Sequence, residues 1–235
     1  MRVQRCFGAW LALACVAVVT LGTYVPAAAD DKMDAEQLVE RARMTFESFS
    51  ADKELGPNMT SLARRAKGIL IFPQVLRAAF VFGVSGGTGV FVAYDEVNRR
   101  WNGPAFYTLG QVSFGLQAGG EASEVVLMAM TDRGVSALLS TSAKLGADVG
   151  VALGPVGAGA AAATANFSGD ILIFSRSAGL YGGISVDGAV VATRDALNGW
   201  YYGKPATTQE ILLQHAVTNP QATPLIDIVK KVSER

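Results

Sequence analysis

The stretch Gly83-Val84-Ser85-Gly86-Gly87 has the Gly-x-Ser-x-Gly spacing of a hydrolase nucleophile elbow, in which a strained turn between strand and helix exposes a serine hydroxyl. That chemistry needs a helix after the serine. Thr88 to Tyr94 instead continues as a second β-patterned run, so the spacing reads as a glycine-rich hairpin. A general base is also scarce, because the chain has one histidine, His215, in its last helical region, where it reads as a helix-surface or capping group. Nucleotide chemistry has no better support: no Gly-x-x-x-x-Gly-Lys-Ser/Thr occurs, no Gly-x-Gly-x-x-Gly opens a helix, and Gly203-Lys204 is followed by Pro205. Asp132, Asp148, Asp170, Asp187 and Asp195 are scattered without the alternation of a calcium loop, and Cys6 and Cys15 are the only cysteines. No metal or cofactor is expected. A formal net charge of zero makes the chain a poor binder of polyanions, whose affinity grows with each phosphate neutralised, so nucleic acid is not an expected partner.

Two features could engage an anionic surface. Arg64, Arg65, Lys67 and Arg77 bracket the first apolar strand, close to Leu76 and Phe80, and would meet lipid headgroups. Leu38, Ala42, Phe46 and Phe49 form a stripe at helical spacing, and Leu38, Phe46 and Phe49 could supply apolar contact with a bilayer. The polar face of that helix is mixed rather than basic, which favours packing of the stripe on a sheet. Trp101, Trp200, Tyr201 and Tyr202 could line a groove or pack over a sheet edge.

The elements that would hold these residues follow from periodicity and punctuation. Asp34 to Phe49 reads as an amphipathic helix, stopped by Gly56-Pro57-Asn58, and Thr60 or Ser61 can cap a second helix ending near Lys67. Strands are expected at Gly68 to Pro73, closed by the proline, then at Phe80 to Ser85 and Val90 to Tyr94, joined through Gly86 to Gly89. Ala105 to Gly120 and Glu124 to Met130 are further strands, and Thr131 caps a helix over Asp132 to Thr141. Leu145 to Phe167, with six alanines between 158 and 165, reads as two tight core strands around Gly154-Pro155. Ile171 to Ser175 is a strand, and Leu180 to Val186 should pair with Ala189 to Thr193 through Asp187-Gly188, a strong hairpin signal. Asp195 to Asn198 is one helical turn, Tyr201-Tyr202-Gly203 a loop, and Thr207 to His215 and Pro220 to Val232 are helical. The class is α+β: one domain with an extensive glycine/alanine-rich antiparallel sheet and flanking N- and C-terminal helices.

The first 29 residues read as a secretory signal peptide. Arg2 and Arg5 supply the positive end, Phe7 to Val19 the apolar run, and Ala27-Ala28-Ala29 the small residues read at cleavage. A retained anchor and a lipoprotein are weaker alternatives, the latter because Cys15 lies inside the apolar run rather than at its end. Cleavage leaves residues 30–235 without cysteine and takes the formal charge from zero to minus two. The expected location is the periplasm, with peripheral attachment to a membrane.

Several blocks occur in an order that resembles the SYLF-domain family of lipid-associated proteins. They are Ala66 to Pro73, Gly86 to Val90, Ser113 to Gly120, Leu145 to Asp148 with Gly154 to Gly157, Ser177 to Gly183, and Asn198 with Tyr201-Tyr202-Gly203. The resemblance runs from about residue 60 to 203. It implies a non-enzymatic, phospholipid-associated domain, which in eukaryotic relatives accompanies phosphoinositide binding and actin-related membrane trafficking. The leader separates an exported member from those cytoplasmic partners. The expected partner is therefore an anionic phospholipid or membrane surface of the bacterial envelope, and the alternative is a periplasmic structural or interaction module with an envelope protein as partner.

Overall fold

The structure, a computed structural model, describes residues 28–79, 82–114, 119–154, 169–177, 180–181, 186 and 188–234. Residues 1–27, which hold most of the expected leader, Phe80, the middle of the Ser113–Gly120 block, residues 155–168, and 182–185 with Asp187 of the expected Leu180–Thr193 hairpin lie outside the described residues. Helix α1 (Ala28–Ala51) is followed by α2 (Gly56–Ala63), whose first turn is set by Pro57 rather than by a Thr60 or Ser61 cap. The strands come next: β1 (Gly68–Ala79), β2 (Phe82–Asp95), β3 (Arg100–Phe114) and β4 (Gly119–Ala129). Helix α3 (Asp132–Leu139) starts where the Thr131 hydroxyl accepts from the Gly134 N–H at 3.0 Å, as its sequence suggests.

Short strands β5 (Ser142–Lys144), β6 (Val151–Leu153), β7 (Ile171–Ser177), β8 (Leu180–Tyr181) and β9 (Val190–Thr193) complete, among the described residues, one sheet of nine strands. Its order is β5-β9-β3-β2-β1-β4-β7-β6, with β8 on β7, and all pairs are antiparallel except β6 with β7. Helices α4 (Asp195–Tyr202), α5 (Thr208–Leu212) and α6 (Thr223–Val232) follow, the last preceded by a 3-10 turn at Pro220–Ala222. This is the expected α+β architecture with helices at both ends.

The sheet has two buried faces. One packs Ile69, Ile71, Val90, Val92, Val126 and Met128 against the helices that precede and follow the strands, while Leu70, Phe72, Phe91, Tyr107 and Leu127 fill the other. The edge strands β5 and β6 are drawn together by the Leu145–Val149 bridge, so the sheet curls around the second cluster.

Five expectations need correction. β1 passes through Pro73 because the proline sits in a bulge, where register skips between Ile71 and Gln74 on one side and Phe72 and Val75 on the other. β2 is one strand, and Gly87 and Gly89 mark close approach rather than a turn: a Cβ on either would lie 2.5 or 2.4 Å from a β1 carbonyl oxygen. Val190–Thr193 pairs with β3 on one side and β5 on the other, while the Ala189 N–H donates to the Val186 carbonyl at 2.9 Å and Gly188 holds φ 79°. β6 is a short edge strand with Leu153 exposed, and Tyr201 and Tyr202 belong to α4, which Gly203 ends at φ 70°.

Candidate functional site

The bulge at Pro73 decides what the far half of the sheet presents. Before it, Ile69 and Ile71 face the helices; after it, Val75 turns to the inner cluster and Leu76 takes the helix-side face. Leu76 and Ala78 stand beside Gly86 and Val84 on β2, Val84 beside Val112 on β3, and Leu76 and Ala78 also beside Ala122 and Gly120 on β4. Helices cover the near half of this face but leave the far half open. Leu76, Val84 and Val112 are 55%, 58% and 68% exposed. A shallow cavity of about 630 Å³ lies over Leu76, Val84 and their small neighbours. A second hollow, of about 330 Å³, joins Leu76 and Pro73 to Asp31, Asp34 and Arg41 of α1. The start of α1 therefore stands at the rim of the apolar surface.

The basic residues singled out by sequence do not form one site. Arg64 and Arg65 are exposed at the end of α2. Lys67, next to them, is half-buried with its Nζ 2.8 Å from Asp132 Oδ1 and 3.0 Å from Glu96 Oε1; these two acids, Asp132 foremost, raise its pKa above the ordinary lysine value. Arg77 sits ten residues along β1, roughly 30 Å away at about 3.3 Å per residue. It is opposite Ser85 and Glu121, on the face that carries Val75.

The apolar stripe of α1 is corrected more firmly. Phe46 and Phe49 are fully buried in the helix-side core and Leu38 packs partly against it, so in this conformation neither phenylalanine can touch a bilayer. Polar ties hold the helix down. Thr45 donates to Glu124 at 3.1 Å, Arg176 donates to Ser48 at 2.9 Å and lies over the Phe49 ring at 4.8 Å, and Gln221 donates to the Glu36 carbonyl at 3.0 Å.

The nucleophile-elbow spacing has no matching geometry. Ser85 is buried within β2, opposite Arg77 and Gln111, with strand on both sides. His215 follows α5 in a left-handed backbone conformation, φ 51°, and burial lowers its pKa; Arg100 and Asp95 are the charges that act on it. Asp95 lies at the opposite end of β2 from Ser85, roughly 30 Å along the strand. Among the described residues no group of acids, histidines and cysteines could hold a metal ion, and no helix is long and apolar enough to cross a membrane.

Sequence reasoning picked out Leu76 but missed Val84 and Val112. The available signal is the period-two alternation through Thr108, Gly110 and Val112, obscured because the glycines of β2 read locally as a turn. It also left open whether Trp101 lines a groove, and it does: Tyr94 and Trp101 floor a cavity of about 700 Å³ between the β2–β3 turn and α6.

The fold and this surface define an α+β domain with a curled sheet whose far end shows an apolar face. The family described as "Ysc84: Las17-binding protein actin regulator" matches residues 110–232. The chain is 31% identical over 186 residues to Protein YSC84 of Saccharomyces cerevisiae, covering 77% of this chain and 39% of the relative. LAS seventeen-binding protein 3 of the same yeast matches to the same extent. Human SH3 domain-containing YSC84-like protein 1 is 28% identical over 173 residues, 73% of this chain and 50% of the relative. The chain thus spans half or less of the relatives it matches, and it belongs to the Ysc84/SYLF family.

Proposed function

We propose that this protein is a non-enzymatic, phospholipid-associated component of the bacterial cell envelope, exported by residues 1–29, and that the open half-face around Leu76, Val84 and Val112 meets the membrane. The observation that carries the reading is that apolar face: three large side chains more than half exposed, set among glycine and alanine on adjacent strands. Contiguous apolar surface of this kind marks an interaction site. The start of α1, at Asp31 and Asp34, stands at its rim. Completing the burial of three half-exposed side chains is worth about 3 kcal/mol in total. Such contact is weak and reversible, and Arg77, whose side chain reaches the lining of the cavity over Leu76 and Val84 although its strand position faces the other way, adds attraction to anionic headgroups. Relatives named for binding Las17 favour a second reading, in which the same face docks an envelope protein.

Co-sedimentation of residues 30–235 with vesicles of graded phosphatidylglycerol content tests the first reading. Binding should rise with anionic lipid, fall to background when Leu76, Val84 and Val112 are replaced by aspartate, and survive replacement of Arg64, Arg65 and Lys67 by glutamine. Absence of binding at low salt would overturn lipid association. A stable protein partner captured from envelope extract, dependent on Leu76 and Val84, would then establish the second reading.

A further inference from the structure

The groove between the β2–β3 turn and α6 lies at the end of the sheet opposite the apolar face and plays no part in the function proposed above. Tyr94 and Trp101 floor it, with ring centroids 5.3 Å apart, and Ile226 of α6 forms an apolar wall. Trp101 Nε1 donates to Ser233 Oγ at 2.9 Å, and that hydroxyl donates to the Val229 carbonyl at 2.7 Å, so strand and helix are fastened together before anything enters. The turn supplies the other wall, and it is rigid: Asp95 accepts from the Val97 and Asn98 N–H groups and from the Asn98 side chain. Those bonds hold up Val97, which is 90% exposed at a place where turns favour Gly, Asn, Asp or Ser. An apolar knob thus stands on the rim of an apolar groove.

The lining carries both charges in equal number, Glu96, Asp227 and Glu234 with Arg99, Arg100 and Lys230. Glu96 is paired with Lys67 at 3.0 Å, and Arg100 lies 3.9 Å from Asp95. Among the described residues, Arg99, Lys230, Asp227 and Glu234 enter no ion pair. Two cations and two acids therefore stay unmatched within the chain around one apolar floor. A neutral lining of this kind selects neither an anion nor a cation, but it matches a copy of itself. A two-fold contact sets the same patch against itself, so the cations of each copy meet the acids of the other and each knob faces the other's groove.

We infer that two copies of this chain associate through this end, Val97 of each seated over Tyr94, Trp101 and Ile226 of the other, and Arg99 and Lys230 of each paired with Asp227 and Glu234 of the other. The patch is small, so the dimer is weak and governed by concentration. Joined here, the two domains keep both open half-faces free. Sedimentation velocity of the chain without lipid, between about 1 μM and 1 mM, should show a reversible rise from one chain to two. Leu76→Asp with Val84→Asp removes self-contact through the apolar face and should leave that rise unchanged. Val97→Ser should move its midpoint at least tenfold upward in concentration. Asp227→Lys with Glu234→Lys, and Arg99→Asp with Lys230→Glu, should each stay monomeric alone, while an equimolar mixture of the two variants should dimerise. Val97 and these four charged residues are all exposed, so each variant should keep the parent's melting temperature. A chain still monomeric at the highest concentration, dimerisation lost on substituting Leu76 and Val84 or unchanged by Val97→Ser, or a mixture no more associated than its parts would each overturn the inference. None of these outcomes depends on whether the domain binds a bilayer.

Discussion

Gly89→Ala should be among the most damaging single-methyl additions in this chain. A Cβ at position 89 would lie 2.4 Å from the Ile71 carbonyl oxygen and 2.6 and 2.9 Å from Phe72 ring carbons. The oxygen belongs to the backbone of a central strand, at the point where β1 bulges toward β2, and cannot swing aside as the end of a side chain can. Overpacking of a tight core costs about 1–3 kcal/mol, and a backbone obstacle places this case at about 2–3. Position 110, on the neighbouring strand, is the control. A Cβ there meets nothing within 4 Å, so Gly110→Ala should be neutral or stabilise by less than about 1 kcal/mol through the unfolded chain. Urea titration of both variants reads the difference as a shift in midpoint at unchanged slope, and thermal melting as about 2–4 °C per kcal/mol. If the two variants differ by less than about 0.5 kcal/mol, the size of an ordinary surface substitution, the claim that bulge pressure demands glycine in β2 is refuted.

Three further outcomes follow from the same packing. Phe46→Ala should cost about 3–5 kcal/mol in urea unfolding, because the ring is fully buried, whereas a helix lying loosely on the surface would lose less than about 1. Asp170→Asn should cost about 1 kcal/mol at pH 7, since the carboxylate accepts from the Thr131 hydroxyl at 2.7 Å and the Gly150 N–H at 3.2 Å. These partners, Thr131 foremost, hold the Asp170 pKa below its ordinary 3.8, so its contribution is present above that value and lost as pH falls through the lowered pKa. The gap between wild type and Asp170→Asn should therefore narrow in denaturation series taken below pH 4, and a gap that widens there contradicts the assignment. Lys67→Ala should change stability by less than about 1 kcal/mol, and less still in high salt, because both of its carboxylate partners are solvent-exposed.

Periodicity and caps carried much of the fold into view. The stripe at Ala42, Phe46 and Phe49, the Thr131 cap and the apolar runs at Ile69 and Ile171 each act through local physics that a sequence displays. The misreadings share a different cause. Pro73 ends a strand by local rules, and Gly86 to Gly89 makes a turn by local rules, yet each is tolerated because the other is there. The proline lacks the N–H that a regular ladder would need and occupies a bulge, and the bulge crowds β2 until two of its positions admit no side chain. That compensation joins residues some fifteen positions apart and is invisible from either segment alone. The candidate surface was partly legible for the same reason. Leu76 drew notice as an apolar residue beside Arg77, but its pairing with Val84 and Val112 depends on knowing that β2 is continuous.

The bulge also ties the fold to the function proposed for it. A strand without it would keep strict alternation from Ile69, sending position 75 to the helix side and Leu76 into the curl of the sheet. The extra residue reverses that parity: Val75 is buried inside and Leu76 stands 55% exposed beside Val84. The apolar face is thus a product of the backbone irregularity that Pro73, Gly87 and Gly89 jointly sustain, rather than of excess hydrophobic residues at the surface. Membrane contact then need not come from releasing α1, whose phenylalanines are committed to the core and whose polar ties reach β4, β7 and the turn before α6. The domain can present its apolar end while remaining fully folded. The surface proposed to bind is thus built by sheet register.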